Sequence, residues 1–444
     1  MSPLLVGVIG MAIFLIVMFI GFNIPFAMLI GGAIGLILMR GMSTASTMIA
    51  SEFINTFSSY TLTIGPMFGL MGYMASFSGI GEKLFTFLKT MIGHRKGGLS
   101  HAVQLACVAF GAICGSPVAT NATFTTVAYP EMRKAGYSAE LSATTIIGGG
   151  TLAVLIPPST TLIIYGIATE TSITHLFMAG ILCGILMAIV NFFTIVYVVK
   201  RHPDWAVSGR RYSWRERWKA CKNGGIIEIV VVFIIAMGGM FAGFFTPTEA
   251  GAVGAFGMTI VALISRQLTW KKFFNAIFQG IKLMAMIYLL FACANVLARM
   301  FTLSTIPIAV GNWVAAMEVP GVLAVIVILV IYFILGCFAD MQSMMLVTLP
   351  IFFPIIVSYA GFSPVWFGII MVILMSIGSM TPPVGTAVFF QKAFIQPYDP
   401  DVSVGRLFGS IWPWVINRAA LTLILVAIPQ AVTLLPHLVY DIPL

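Results

Sequence analysis

Apolar stretches of about 20 residues, long enough to span a lipid bilayer, recur from one end of the chain to the other. Of its 444 residues, 60% are hydrophobic and only 8% are charged. A water-soluble fold needs a charged coat of roughly 25% of its residues, so most of this surface must face lipid. The sequence therefore predicts an all-α integral membrane protein.

The net charge of +9 suggests either an anionic partner or a signal of membrane topology. The basic residues lie in short loops between apolar stretches, which is typical of cytoplasmic loops. All four basic loops fall on one side if the N-terminus is outside: 94–96, 133–134, 200–222 and 266–272. We therefore expect a cytoplasmic linker at 200–223 and no binding of nucleic acid, which is the alternative interpretation of that linker. Arg40 and Arg299 fall on the outer side and do not fit this topology.

The sequence carries matching landmarks in its two halves, in the same order and at a nearly constant separation. The matched landmarks are Pro25 with Pro247, Pro130 with Pro354, Pro157-Pro158 with Pro382-Pro383, and Ser172 with Ser403. Each match alone is weak, because glycine and proline are common in membrane helices. Together they indicate an internal duplication, a feature of secondary transporters.

Each half is predicted to contain five crossings and one re-entrant hairpin. The predicted crossings are 4–22, 24–40, 58–80, 138–168 and 175–199, then 225–244, 247–265, 273–298, 363–393 and 411–435. Because five is odd, the second half, 224–444, is expected to be inverted relative to the first, 1–199. Segments 82–97 and 303–320 are less apolar and are expected either to lie along the membrane surface or to act as connectors.

The first predicted hairpin, near 101–129, contains hydroxyl side chains and an amide within an apolar region. Gly115 and Pro117 interrupt the helix there, and about 14 residues per arm reach only about 21 Å, too short to cross. Irregular backbone at membrane depth must be buried in protein or line a cavity. A half-helix starting between Ser116 and Thr120 would direct its N–H groups toward an anion. The alternative is a Ser/Thr-rich packing interface.

The matching hairpin, near 324–354, places Asp340 where the first half has Ser116. An ionisable residue at membrane depth is costly and by default indicates a functional site. No basic residue lies close to it in sequence, so a bound cation is the expected partner. The alternative is a solvated helix cap near the outer surface.

Two double prolines, Pro157-Pro158 and Pro382-Pro383, must stop and restart their helices beside Thr or Ser. Discontinuous helices at matched positions in two halves indicate a transport site. A simple kink is the alternative. Glu249 is expected to be a helix cap rather than a functional carboxylate, and the glycine ladders at Gly32 and Gly254 are expected to allow close helix packing.

These motifs together resemble the large membrane subunit of tripartite ATP-independent periplasmic (TRAP) transporters over essentially the whole chain. The resemblance implies an elevator-type transporter of the bacterial inner membrane that takes up a small organic anion, such as a C4-dicarboxylate or a sialic acid, with sodium. It also implies two partners, a periplasmic substrate-binding protein and a small membrane subunit of about four helices. No cofactor other than Na⁺ as the coupling ion is expected, since the sequence has no CxxC pair and no HExxH motif.

The family's sodium-binding regions correspond here to Ser116, Asn121, Pro157, Thr160, Asp340, Thr381 and Gly385. The residues predicted to contact the substrate are Ser116, Thr120, Pro158, Ser159 and Pro383. The nearest alternative function is an inverted-repeat sodium/anion symporter that works without a binding protein. An intramembrane aspartyl enzyme would need a second membrane aspartate beside Asp340, and a channel would show polar stripes along several helices.

Overall fold

The structure is a computed structural model that describes residues 1–266, 268–316, 320–338 and 340–440, and all regular elements in these ranges are helical. The helices of the first half are Pro3–Phe19, Ile24–Arg40, Met42–Phe57, Ile64–Phe77, Ile80–Ile92, Gly98–Cys114, Pro117–Val127, Tyr129–Lys134, Ala139–Gly150, Thr160–Ala168 and Ile173–Arg201. The linker contains Trp214–Asn223. The second half contains Ile226–Phe233, Gly239–Phe241, Pro247–Ile264, Trp270–Ser304, Ile306–Ala316, Gly321–Phe338, Met341–Pro354, Pro364–Gly378, Thr386–Ile395, Val404–Ala427 and Pro429–Tyr440.

The predicted all-α membrane fold is confirmed. Within the described ranges, six helices are long and apolar enough to cross a membrane, or seven if the bent pair 214–222 and 226–241 is one span. One matched pair falls at corresponding places: Ser172 and Ser403 are both N-caps, and each accepts a hydrogen bond from the third backbone N–H after it. Pro130 and Pro354 do not correspond in this way, because Pro130 lies in the first turn of Tyr129–Lys134 whereas Pro354 ends Met341–Pro354. The inverted orientation of the halves and the domain boundaries at 199 and 224 remain predictions.

Two predicted segments have other bounds in the structure, and one helix was not predicted. The last crossing is present, but its predicted bounds, 411–435, are wrong, because one helix runs over Val404–Ala427 and Pro429 begins another. The residue before a proline is disfavoured in helical conformation, and Ile428 accordingly leaves the helix. The predicted crossing 273–298 is part of a single helix of 35 residues, Trp270–Ser304. An additional helix, Met42–Phe57, was not predicted.

The less apolar segments form separate helices, Ile80–Ile92 and Ile306–Ala316. Residues 317–319 of the predicted segment 303–320, and residue 267 of the basic loop 266–272, lie outside the described residues. Ile80–Ile92 is amphipathic and is joined to the short helix Tyr129–Lys134 by an ion pair, with Lys89 Nζ at 2.7 Å from Glu131 Oε2.

Glycines let helices of the two halves approach closely, as predicted. A Cβ at Gly32 would lie 2.9 Å from the backbone nitrogen of Leu297, and one at Gly254 would overlap the sulfur of Met71. Glu249 closes a capping box with Thr246, so its predicted structural role is confirmed. Arg299, which did not fit the predicted topology, lies 3.9 Å from a carboxylate oxygen of Glu52 on the helix that was not predicted.

Candidate transport site

The first helical hairpin, hairpin 1, consists of Gly98–Cys114 and Pro117–Val127, which contact each other. Gly115 joins them with a φ of +60°, a conformation that favours glycine. Ser116 is the N-cap of the second arm and accepts a hydrogen bond from the Ala119 backbone N–H at 3.4 Å. Pro117 occupies the first helical position, where its missing N–H costs no hydrogen bond. The predicted helix start between Ser116 and Thr120 is therefore confirmed.

The second helical hairpin, hairpin 2, consists of Gly321–Phe338 and Met341–Pro354, so it extends further at its N-terminal end than the predicted 324–354. Asp340 is the N-cap of the second arm. Its Oδ2 accepts hydrogen bonds from the backbone N–H of Ser343 at 3.0 Å and from the Ser343 hydroxyl at 3.1 Å. The cap interpretation of Asp340 is therefore correct as local geometry, and its carboxylate occupies the position that Ser116 has in hairpin 1.

Both double prolines interrupt helices as predicted. Break 1, residues 151–159, separates Ala139–Gly150 from Thr160–Ala168, and break 2, residues 379–385, separates Pro364–Gly378 from Thr386–Ile395. Both Pro-Pro peptide bonds are cis. The restarted helices are capped differently, because Ser159 accepts a hydrogen bond from Leu162 N–H, whereas break 2 ends in Gly385 with a φ of +57°.

Each hairpin turn is hydrogen-bonded to the break in its own half. The Gly115 carbonyl accepts hydrogen bonds from the Thr160 backbone N–H at 3.4 Å and from its hydroxyl at 3.2 Å. The Cys337 carbonyl accepts one from Gly385 N–H at 3.0 Å. A Cβ at Gly115 would overlap the Pro158 carbonyl oxygen, so the close approach of turn and break requires glycine. Backbone at both interruptions is thereby partly satisfied inside the protein.

The hairpin turns and the restarted helices surround one cavity of about 240 Å³. Four of the predicted site residues line it: Ser116, Asn121, Thr160 and Asp340. Four helix N-termini begin beside it, at Pro117, Met341, Thr160 and Thr386. Because helix N-termini carry partial positive charge, this arrangement favours a negatively charged group in the cavity.

The other predicted residues do not line the cavity. The hydroxyls of Thr120, Ser159 and Thr381 donate to the backbone carbonyls of residues 116, 154 and 377, respectively. These hydroxyls are used to hold the turns. Pro157, Pro158, Pro383 and Gly385 belong to the two breaks and do not line the cavity.

Sequence reasoning missed several lining residues, among them Thr151, Gln342 and Ser379. The side-chain oxygens of Asn121 and Gln342 are buried and have no hydrogen-bond partner in the described part of the chain. Such a group costs about 1–3 kcal/mol unless a ligand satisfies it. Uncharged oxygen donors beside interrupted helices are also the ligands that transporters use for Na⁺. The residues present therefore fit the predicted coupling ion, and Gln342 could have been noticed two positions after Asp340.

Arg418 was also missed. It lies in the middle of Val404–Ala427, is only 2% exposed, and forms no ion pair within 4.0 Å among the described residues. Its guanidinium donates to Asn191 Oδ1 at 3.0 Å, to Thr151 Oγ1 at 2.8 Å and to the Gly148 carbonyl. Thr151 both binds Arg418 and lines the cavity. An arginine within an apolar helix is the sequence signal that would have found it.

Comparisons with known proteins agree with this architecture. A family model described as "Tripartite ATP-independent periplasmic transporter, DctM component" matches residues 11–431. The C4-dicarboxylate TRAP transporter large permease protein DctM of Pseudomonas aeruginosa is 32% identical over 92% of this chain and 93% of its own length. The 2,3-diketo-L-gulonate TRAP transporter large permease protein YiaN of Escherichia coli is 30% identical over 94% and 95%.

The isethionate TRAP transporter permease protein DctMQ of Oleidesulfovibrio alaskensis is 27% identical over 94% of this chain but only 64% of its own length. Among solved structures, the YdaH transporter of Alcanivorax borkumensis superposes with a TM-score of 0.59, covering 88% of this chain and 90% of that one. At 14% identity this likeness concerns the fold alone. From the family match over nearly the whole chain, this protein belongs to the DctM family, the large membrane permeases of TRAP transporters.

Proposed function

We propose that this chain takes up a small organic anion, driven by sodium, and that the cavity between hairpins and breaks is where both bind. The convergence of four helix N-termini on a cavity with unpartnered amide oxygens is the observation that carries this proposal. The named relatives handle C4-dicarboxylates, 2,3-diketo-L-gulonate and isethionate, all of them small organic anions. A carboxylate such as a C4-dicarboxylate or a sialic acid is the substrate class we favour.

The anionic head of the substrate is proposed to bind at the starts of Pro117–Val127 and Thr160–Ala168. Free N–H groups of a first helical turn, together with hydroxyls such as that of Ser116, donate hydrogen bonds to a carboxylate. Sequence reasoning assigned Ser116, Thr120, Pro158, Ser159 and Pro383 to the substrate. The geometry favours Ser116 for direct contact, since it lines the cavity and the other four do not.

Sodium is proposed to bind oxygen atoms of the same cavity before the substrate. Asn121 Oδ1 and the Asp340 carboxylate are the side-chain donors we favour. Pro157, Thr160, Thr381 and Gly385 remain candidates through their backbone carbonyls. A cation beside the anion reduces the cost of carrying that anion through a medium of low dielectric constant. It would also hold the turns and breaks in the arrangement that receives the substrate.

Translocation is proposed to follow an elevator mechanism, in which two inverted halves form one moving unit against a static scaffold. The moving unit would comprise hairpins 1 and 2, both breaks and the helices that carry them. The helices Ile80–Ile92 and Ile306–Ala316 directly precede hairpin 1 and hairpin 2 in the chain. This position suits them to connect the moving unit to the scaffold. We further propose a periplasmic N-terminus, a cytoplasmic linker at 200–223 and an inner-membrane location.

Two protein partners are proposed, a periplasmic binding protein that delivers the substrate and a small membrane subunit. The relative named DctMQ is longer than this chain, which covers 64% of it, as expected if a second membrane subunit is fused there. The alternative function is the same symport without a binding protein.

Uptake by proteoliposomes containing the chain and its small subunit tests these proposals. We expect accumulation of a labelled carboxylate only with an inward sodium gradient and only when the binding protein is present. Accumulation that is unchanged when potassium replaces sodium would refute the coupling. Sodium-driven uptake of equal rate without the binding protein would favour the alternative.

A further inference from the structure

Two cavities outside the transport site lie along the same pair of helices, Gly98–Cys114 and Ile173–Arg201. The first is a cleft of about 360 Å³ whose rim carries Lys96 and Lys200. His101, Val196, Val199 and Pro203 complete its walls. The cleft, here called the basic cleft, therefore combines two cations with an apolar floor.

The second cavity is an apolar groove of about 540 Å³ that follows the basic cleft toward the middle of the helices. Its walls include Leu105, Ile185, Ile189, Phe192 and Phe233, and no charged side chain lines it. Phe192 is 45% exposed and Ile185 is 53% exposed, so the groove is open on the outside of the protein. We call it the apolar groove.

The basic cleft and the apolar groove lie next to each other. The rings of His101, in the cleft, and Phe192, in the groove, lie with their centroids 4.3 Å apart. At the charged end, a Cβ at Gly97 would be 2.9 Å from Val199, so the start of one helix packs against the end of the other. From Phe192 back to Ile181 the helix rises about 16 Å, close to half of the roughly 30 Å hydrocarbon core. The groove thus has the length of one lipid leaflet.

The charges at the rim are not paired with acidic side chains in the described part of the chain. Neither Lys96 nor Lys200 forms an ion pair within 4.0 Å in the described ranges, whereas Lys89, seven residues before Lys96, pairs with Glu131. Two lysines at the end of the apolar groove are complementary to a ligand in which a phosphate group is joined to a hydrocarbon chain. Basic pockets between membrane helices on the cytoplasmic side bind lipid head groups of this kind.

We propose that the basic cleft and the apolar groove bind one anionic phospholipid. Its phosphate lies between Lys96 and Lys200, and one acyl chain occupies the groove beside Phe192. Ile156, the last residue before Pro157-Pro158, also lines the groove. The bound chain therefore contacts break 1 from the side opposite to the transport cavity and supports its position.

Native mass spectrometry of the purified full chain in neutral detergent, supplied with phosphatidylglycerol or phosphatidylcholine, tests the proposal. We expect phosphatidylglycerol to be retained in preference. The double variant Lys96→Gln/Lys200→Gln should bind it about 30-fold more weakly, since each lysine near a lipid surface contributes about 1 kcal/mol. Arg215→Gln/Lys271→Gln removes two exposed positive charges outside both cavities and should bind as the wild type does.

A groove variant separates the lipid from a simple anion. Ala188→Phe places a ring in the apolar groove and should reduce phosphatidylglycerol retention while leaving the lysines intact. Competition by glycerol 3-phosphate as effective as that by the lipid would overturn the proposal in favour of a free-phosphate site. Equal retention of the two lipids, or unchanged retention by the double lysine variant, would also overturn it. Size-exclusion profiles identify any variant that is misfolded, and for such a variant single substitutions at Lys96 and Lys200 replace the double one.

Discussion

Replacing Arg418 by methionine tests how the wall of the transport cavity is held in place. The side chain is buried and donates to four neutral acceptors: the Gly148 carbonyl, the Thr151 hydroxyl, the Asn191 amide oxygen and, at 3.8 Å, the Met380 sulfur. Through Gly148 and Thr151 it connects Val404–Ala427 to the start of break 1. Arg418→Met keeps an unbranched chain of similar length in the same space while removing the charge and all donors.

The expected loss of stability follows from which acceptors keep a partner. The Gly148 carbonyl still accepts from Asn191 Nδ2 at 3.0 Å, and the Thr151 hydroxyl still donates to the Ile147 carbonyl at 2.7 Å. Only Asn191 Oδ1 loses its one described donor, which costs about 1–3 kcal/mol. The free energy lost with the hydrogen bonds of the guanidinium is largely offset, because the variant avoids the desolvation cost of burying a charge that has no carboxylate partner. We therefore expect the melting temperature to fall by only a few degrees.

Transport should respond more strongly than stability. Thr151 lines the cavity, and without Arg418 it loses its hydrogen bond to the helix Val404–Ala427. A change of about 1–3 kcal/mol in the binding-competent arrangement corresponds to about a 5- to 150-fold loss of substrate affinity. Asn417→Ala is the matched control, since it removes one hydrogen bond to Thr194 from the same helix without affecting break 1. If Arg418→Met bound the substrate with wild-type affinity, whatever its melting temperature, the role of Arg418 in holding the cavity wall would be refuted.

Three further predictions concern other parts of the site. Gly150→Ala places a Cβ against Asn121 Oδ1, so we expect sodium affinity to fall at least tenfold in uptake assays with only 1–3 kcal/mol of destabilisation. Asp340→Ala should weaken the sodium dependence of uptake while the protein still inserts into the membrane. The hydrogen bond from Lys89 lowers the pKa of Glu131 below its ordinary value of 4.5. Above pH 4.5, that ion pair therefore stabilises the fold by less than about 1 kcal/mol. This stabilisation is lost as the pH falls through the lowered pKa of Glu131. The difference in melting temperature between wild type and Lys89→Gln should therefore disappear in acid.

Each of these predictions has a matched control or a contrary outcome. Gly409→Ala adds the same methyl group to a helical glycine with open space around it, and it should leave sodium affinity unchanged. A wild-type sodium response in Asp340→Ala would leave that residue with its capping role alone. A melting-temperature difference for Lys89→Gln that persists at pH 3 would mean that the lysine acts through packing rather than through Glu131.

Features determined by local backbone chemistry were predictable from the sequence. Gly-Ser-Pro at residues 115–117 ends one helix and starts another, and the double prolines cannot continue a helix in any context. The capping box at Thr246 likewise depends on a pattern of four residues. For these reasons the helix interruptions and the Thr246 cap could be predicted without any tertiary contact.

Features determined by contacts between distant segments were not predictable in this way. Whether a hydroxyl faces a cavity or a carbonyl depends on the neighbouring helix, so Ser116 and Thr120, four residues apart, have different roles. The partners of Arg418 come from four other segments of the chain. The helix Met42–Phe57 carries Ser, Thr and Glu side chains and has no long apolar stretch, so its sequence does not predict a membrane crossing.

The hydrogen bonds around the cavity divide into two sets with different consequences. Hydrogen bonds to backbone carbonyls connect each hairpin turn to its own half, where Thr160 donates to Gly115 and Gly385 donates to Cys337. Side-chain bonds connect the halves, as where Gln391 Nε2 donates to Thr125 Oγ1 at 2.9 Å and Ser376 donates to the Thr151 carbonyl. The Gly115 carbonyl already accepts two hydrogen bonds, whereas the Cys337 carbonyl accepts one from Gly385 and keeps a second lone pair. We therefore expect an ion to bind at the Cys337 carbonyl without breaking an existing hydrogen bond. The site proposed for the anionic head lies between the starts of Pro117–Val127 and Thr160–Ala168, which the hydrogen bonds at Gly115 hold together. A cation beside this site lowers the cost of binding the anion, and for this reason we expect sodium to bind first.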